Sequence, residues 1–165
     1  MLINFDKILK NLSKALVDND LKLSLCESCT GGLLSKICTD YNGSSSWFLG
    51  SVVTYSNCLK ETLGVKHDSI EKYGAVSETV AREMSSSTLN FINSDICLSI
   101  TGIAGPDGGS PDKPVGTVYF SFVDKYGHNI QKKCFFEGSR NEIRYLAAEK
   151  GIQIILDCIT EIKTQ

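Results

Sequence analysis

The sequence predicts an α/β protein, a three-layer α/β/α sandwich built on a mixed sheet with a C-terminal antiparallel hairpin. Three observations predict it. Segments with apolar residues at three- and four-residue steps alternate with short β-rich runs, as helices alternating with strands do. Turn-forming clusters of Gly, Ser, Asn and Pro punctuate the junctions. Two consecutive apolar runs near the C-terminus flank a short polar turn, as antiparallel neighbours do.

Phe5, Ile8, Leu9, Leu12, Ala15 and Leu16 fall on one stripe of an opening helix. Leu21, Leu23 and Leu25 then alternate as in a strand. After a turn at residues 28–32, Leu33, Leu34, Ile37 and Cys38 return to helical spacing, and the Asn42-Gly43-Ser44 cluster ends that helix. Val52, Val53 and Tyr55 make a second β-rich run, after which Ser56 caps a helix that stops at Gly64. Ser77 caps a third long helix, with Ala81, Met84, Thr88 and Phe91 on one face, and residues 96–101 read as a strand. Residues 102–114 hold four glycines and all three prolines of the chain, which predicts a long loop. Residues 115–123 and 130–136 flank Asp124-Lys125-Tyr126-Gly127-His128-Asn129 as a hairpin. Ser139-Arg140-Asn141-Glu142 is a capping box that opens a final helix through Ile143, Leu146, Ala147, Ile154, Ile155, Cys158 and Ile162.

Composition narrows the function classes. Of 165 residues, 42% are hydrophobic and 22% charged. That is enough for a single domain over residues 1–165, and a chain of this size buries roughly 70% of its unfolded surface. Lys plus Arg total 17 against 19 Asp plus Glu, a net charge of -2, so no bulk positive field favours a nucleic-acid partner. The apolar stretches fall far short of the roughly 20 residues that span a bilayer, so no membrane association is expected. Met1-Leu2-Ile3-Asn4-Phe5-Asp6 lacks the basic lead, apolar run and small-residue cleavage site of a secretory leader, which predicts a cytoplasmic location. Seven cysteines, scattered through apolar patterns, read as reduced and mostly buried thiols.

In open α/β sheets, ligands bind beyond the carboxyl ends of the strands. Three polar segments leave strands in that way, at residues 28–32, 55–60 and 101–109, and the site is expected where they converge. Glu27-Ser28-Cys29-Thr30-Gly31-Gly32 puts small side chains between a strand end and a helix start. Its backbone N–H groups are expected to lie uncovered, suited to a phosphate or an oxyanion; the alternative is that Ser28 or Thr30 merely caps the helix. Val53-Thr54-Tyr55-Ser56-Asn57-Cys58-Leu59-Lys60 brings a phenol to the strand end and an amine one turn into the helix. The helix dipole and burial would both lower the pKa of Lys60 and make it a general base. The alternative is a solvated helix lysine, and pairing with Ser28 decides between them.

Thr101-Gly102-Ile103-Ala104-Gly105-Pro106-Asp107-Gly108-Gly109-Ser110 permits close backbone approach and reads as an anion cradle or as a structural loop. It lacks the P-loop and dinucleotide glycine patterns, which disfavours a triphosphate or NAD. Arg140 and Arg144 lie four apart and read as a phosphate clamp or as solvated surface arginines. Cys26-Glu27-Ser28-Cys29 raises a thioredoxin-like redox reading, which the position of Cys26 within the alternating strand weakens. His67 and His128 stand in separate polar stretches with no second cysteine pair, so no metal site is expected.

Five motifs in one order carry a resemblance: Glu27-Ser28-Cys29-Thr30-Gly31-Gly32; Val53-Thr54-Tyr55-Ser56-Asn57 with Lys60; Gly74-Ala75-Val76-Ser77; Gly102-Ile103-Ala104-Gly105-Pro106-Asp107-Gly108-Gly109; and Lys113-Pro114-Val115-Gly116-Thr117-Val118. Together they resemble the CinA C-terminal domain family over nearly the whole chain. The resemblance implies a serine-type amidohydrolase that converts nicotinamide mononucleotide and water to nicotinate mononucleotide and ammonia in pyridine nucleotide salvage, with no metal or other cofactor. Ser28 matches the nucleophile, Lys60 the base and Tyr55 the supporting phenol. The substrate-binding set taken with it is Thr30, Gly31, Gly32, Ser45, Asn57, Thr101, Gly102, Gly105, Asp107, Gly108, Gly109 and Arg140. Many relatives carry an upstream molybdopterin-binding-like domain acting on ADP-ribose-type pyrophosphates, an activity not expected of this chain. A homodimer with a small-molecule nucleotide substrate is the expected assembly. The alternative is a competence- or damage-related module that binds a nucleotide ligand without chemistry.

Overall fold

A computed structural model describes residues 4–163. Met1, Leu2 and Ile3, read above for a leader, and the side chain of Ile162 lie outside the described residues. The elements in chain order are α1 (Asp6–Asp18), β1 (Leu23–Glu27), α2 (Leu33–Asp40), a 3-10 turn (Ser44–Ser46), β2 (Phe48–Val53), α3 (Asn57–Leu63), α4 (His67–Tyr73), α5 (Glu78–Ile92), β3 (Ile96–Gly102), β4 (Thr117–Asp124), β5 (Asn129–Phe135) and α6 (Arg140–Lys163). The five strands form one mixed sheet in the order β2-β1-β3-β4-β5. β1 runs parallel to both β2 and β3, and β4 is antiparallel to β3 and β5. The α/β architecture and the closing hairpin follow the sequence reading. Among the described residues no helix is long and apolar enough to cross a membrane.

The two faces of the sheet differ in side-chain size, and the difference assigns the helices. Leu23, Leu25, Ile96, Leu98, Ile100, Val118, Phe120 and Phe122 point to one face and form the main core with α1, α2 and α6. The opposite face presents Ser24, Cys26, Cys97, Ser99 and Ser121, all buried, and small side chains there let α5 pack closely along the sheet. Buried hydroxyls need partners, and these have them: Ser24 with Ser94 at 2.6 Å, Ser99 Oγ on the Ala81 carbonyl at 2.6 Å, and Ser85 Oγ on Ser121 at 2.9 Å. All seven cysteines are free thiols, five of them buried, as residues of this size in these patterns should be.

Three details depart from the sequence reading. The polar stretch around His67 is a helix, α4, whose local sequence buries only Ser69 and Ile70 and so shows no periodicity. Its first turn is held from outside by Glu83, which accepts from Lys66 N at 2.9 Å and Ser69 Oγ at 2.8 Å. Phe91 does not share the buried face of Ala81, Met84 and Thr88; it is 73% exposed, because the last turn of α5 projects past the packed stretch. β2 starts at Phe48, earlier than its β-branched residues indicate, as an edge strand with half-exposed side chains.

β1 is the point where the strand order reverses, with β2 on one side and β3 on the other. Open sheets form their crevice there, outside the carboxyl ends. The loop after β3 is pinned over that crevice by Ile103 N on Thr117 O at 2.9 Å and Gly116 N on Ile103 O at 2.7 Å. Gly116 has φ +97, and a Cβ there would stand 2.0 Å from the carbonyl oxygen of Phe136. Gly116→Ala therefore destabilises by about 3–5 kcal/mol in urea unfolding. Gly127→Ala, at φ +98 with nothing within 4 Å, serves as the comparison. It carries only the left-handed penalty of about 1–2 kcal/mol.

Candidate active site

The segments leaving β1, β2 and β3 converge as expected. They enclose a cavity of about 190 Å³ lined by Ser28, Cys29, Tyr55, Asn57, Lys60, Ala75, Val76, Thr101, Gly102, Ala104 and Arg140. Ser28 is 8% exposed and Lys60 1%. Lys60 Nζ lies 3.1 Å from Ser28 Oγ, 2.6 Å from the Thr54 carbonyl and 3.4 Å from the Tyr55 carbonyl. The solvated-lysine alternative is thus excluded.

α3 supplies this lysine through short-range geometry. Ser56 caps the helix by accepting from Leu59 N at 3.2 Å, and Gly64 ends it, so Lys60 projects from the middle of seven residues back toward the end of β2. Burial is the leading cause that lowers its pKa from the usual 10.5. The helix dipole, expected from the sequence to lower it too, does not. In a helix this short Lys60 also belongs to the last turn, where the dipole favours a cation, so desolvation carries the shift.

The expectation of uncovered N–H groups in the Ser28 turn is corrected as well. The Glu27 carboxylate accepts from Gly32 N at 3.0 Å, Leu34 N at 3.1 Å and Ser35 N at 2.8 Å, and from Ser35 Oγ at 2.5 Å. Gly31 N donates to Ser28 O at 3.0 Å. An outside anion finds the head of α2 already occupied. Neither Ser28 nor Thr30 caps it: the N-cap is Gly32, at φ 91.

The other site residues divide. Asn57, Thr101, Gly102 and Arg140 line the cavity. Gly105 frames its rim through its carbonyl, which accepts from Arg140 at 2.6 Å, while a second guanidinium nitrogen donates to the Tyr55 hydroxyl at 3.2 Å. Tyr55 is 61% exposed, so its phenol stands at the mouth, and its contact with Lys60 is through the main chain. Arg144 does not join Arg140 in a clamp; it donates to Thr30 O at 2.7 Å and braces the Ser28 turn from α6. Thr30, Gly31 and Gly32 do not line the cavity, and Asp107, Gly108 and Gly109 are exposed outside it. Ser45 is exposed in the 3-10 turn before β2, at the amino ends of the strands and opposite to Ser28, because β2 runs parallel to β1.

Sequence reasoning missed Cys29, Ala75, Val76 and Ala104 as lining residues. The Gly74-Ala75-Val76-Ser77 motif was the available signal, and Thr101 Oγ1 ties it to β3 by donating to Ala75 O at 2.9 Å. The redox reading of Cys26 and Cys29 loses its physical basis. Burial pushes the Cys29 thiol up to about 12 and raises Cys26, the reverse of a reactive thiolate.

The family model described as CinA C-terminal domain matches residues 5–159. The chain is 49% identical over 135 residues to a nicotinamide-nucleotide amidohydrolase PncC of Enterobacter agglomerans, covering 81% of this chain and 82% of that protein. It is 42% identical over 147 residues to the protein of the same name from Escherichia coli (strain K12), covering 88% and 89%. A CinA-like protein of Syntrophomonas wolfei is 47% identical over 152 residues, but the chain spans only 36% of that longer protein. Among solved structures, the competence damage-inducible protein A of Klebsiella pneumoniae superposes with a TM-score of 0.90 at 29% identity, covering 94% of this chain and 96% of that one. With a match over nearly all its length, a shared fold and these relatives, the chain belongs to the CinA C-terminal domain family.

Proposed function

We propose that this protein is a nicotinamide-nucleotide amidohydrolase, converting nicotinamide mononucleotide and water to nicotinate mononucleotide and ammonia. The observation that carries the reading is the buried contact of 3.1 Å between Lys60 Nζ and Ser28 Oγ. The PncC relatives support the choice of substrate.

Neutral Lys60 has two hydrogens and one lone pair. The Thr54 and Tyr55 carbonyls accept the hydrogens, which leaves the lone pair for the Ser28 hydroxyl. As Oγ attacks the amide carbon, its proton passes to Nζ. The ammonium then donates that proton to the departing nitrogen, and ammonia leaves an acyl-serine. Water attacks this ester, gives one proton to Lys60, and that proton returns to Oγ as the carboxylic acid departs and loses its remaining proton to solvent. The oxyanion is met beside Cys29, the residue after Ser28 that lines the cavity; the Gly31 and Gly32 N–H groups are committed elsewhere. The cavity takes the pyridine carboxamide. Ribose and phosphate lie over the mouth, with the phosphate at Arg140 and the sugar hydroxyls at Asn57 and the exposed turn of Asp107, Gly108 and Gly109.

Ammonia release from nicotinamide mononucleotide, read with a coupled assay, tests the reading. Lys60→Met lowers kcat by about 10²–10⁴-fold. Ser28→Ala lowers it at least as far while retaining substrate binding by calorimetry. Ammonia release by Ser28→Ala at the wild-type rate refutes the mechanism, and wild-type binding without turnover favours the non-catalytic module.

The pH profile follows from the depressed amine. Only deprotonated Lys60 accepts the serine proton, so kcat/KM rises with pH through the Lys60 titration. The midpoint of that limb lies below the ordinary lysine value of 10.5. A rate that instead falls as pH rises through this limb rules out Lys60 as the base.

A further inference from the structure

We propose that Glu27 is a positioning residue for the Ser28 hydroxyl: its carboxylate gathers the head of α2 and locks the turn that aims Oγ at Lys60. The inference rests on the reading of Ser28 as nucleophile.

Glu27 is 0% exposed, and among the described residues no cation forms an ion pair with it. A buried carboxylate in that state is costly unless hydrogen bonds replace its water. Four do: Gly32 N, Leu34 N, Ser35 N and Ser35 Oγ. An ordinary Ser or Asp cap would satisfy a helix start without burying a charge at the end of a central strand. What this arrangement adds is a closed loop. Glu27 belongs to β1, its bonds land on residues 32–35, and residues 28–31 are held between. Within the loop, Ser28 N donates to Ile100 O at 2.9 Å and Gly31 N to Ser28 O at 3.0 Å, while Arg144 holds Thr30 O. Gly31 and Gly32 adopt φ +60 and +91, left-handed conformations that the carboxylate secures from one side. Ser28 is thus fixed along its backbone, and Oγ is held at Lys60 without searching.

The test reads the hydroxyl itself. Ser28 is modified with phenylmethylsulfonyl fluoride and followed by intact mass, alongside ammonia release. Glu27→Gln preserves size but turns an amide NH₂ toward N–H groups. Labelling and kcat are expected to fall together by about 10²-fold, with KM within about threefold of wild type, since misplacement rather than binding is at fault. A folded Glu27→Gln protein that labels at the wild-type rate overturns the proposal, as does a wild-type Ser28 that resists the reagent. Should Glu27→Gln fail to fold, Ser35→Ala removes one of the four bonds on a helix that tolerates alanine. Its labelling is expected to drop about three- to tenfold, from one lost charge-assisted bond, in a protein that stays folded by circular dichroism at the assay temperature while melting a few degrees lower. Unchanged labelling there refutes the idea. Wild-type labelling at Ser28 without ammonia release defeats the substrate reading alone, because the Glu27 comparison still reads out through the reagent.

Discussion

The structure depends on keeping a lysine amine in the interior without a carboxylate to neutralise it. Lys60 is 1% exposed, and among the described residues no acid pairs with it. An ion pair would restore the ammonium and remove the base that the proposed reaction needs. The protein instead surrounds the nitrogen with two main-chain carbonyls and one hydroxyl. The carbonyls accept hydrogen bonds from either protonation state, the hydroxyl can accept from the ammonium or donate to the amine, and none carries a charge. They also fix direction, since the two carbonyls come from consecutive residues after β2 and leave one side of the nitrogen open toward β1.

That local geometry is available because β1 is central. Its end lies between the ends of β2 and β3, so a residue one step beyond it meets groups from both neighbours. The asymmetric sheet supports the arrangement. Large side chains anchor α1, α2 and α6 on one face, while small ones admit α5 on the other. Leu23, Leu25 and Glu27 share the first face by strand alternation, which delivers the carboxylate to the head of α2 and leaves Ser28 free to face the other way.

What was legible in the sequence follows the range of the interaction. Ser56, Gly64, Ser77 and the Ser139 capping box act within one or two turns, and each ends or starts its helix where the residue type indicates. The junction carrying Ser28 was legible because a β-rich run followed by small residues and a helical pattern is itself short-range, and the Ser56 cap after the next strand marked Lys60 one turn into its helix, with the resemblance matching its role. Contacts made at a distance were not legible. Glu83 starting α4, Arg144 reaching Thr30 and Thr101 holding Ala75 join residues far apart in the chain, and no local period records them. Ser45 shows the opposite failure: a polar residue near the right segment lies at the wrong end of the sheet, which only the parallel pairing of β1 and β2 decides. The Glu27 carboxylate was invisible for another reason. It acts on backbone N–H groups, which every residue type except proline provides.

The occupied helix head also separates two kinds of negative charge in the proposed reaction. A nucleotide monophosphate carries a permanent anion, whereas the oxyanion at Ser28 exists only fleetingly. Had the N–H groups of α2 been free, the phosphate would compete for them and draw the substrate in with the wrong end forward. With Glu27 seated there, that position repels phosphate, and the cation facing the cavity mouth is Arg140, held by Gly105 O and the Tyr55 hydroxyl. In the proposed reaction the substrate would thereby be oriented by exclusion as much as by attraction, phosphate outward and amide inward.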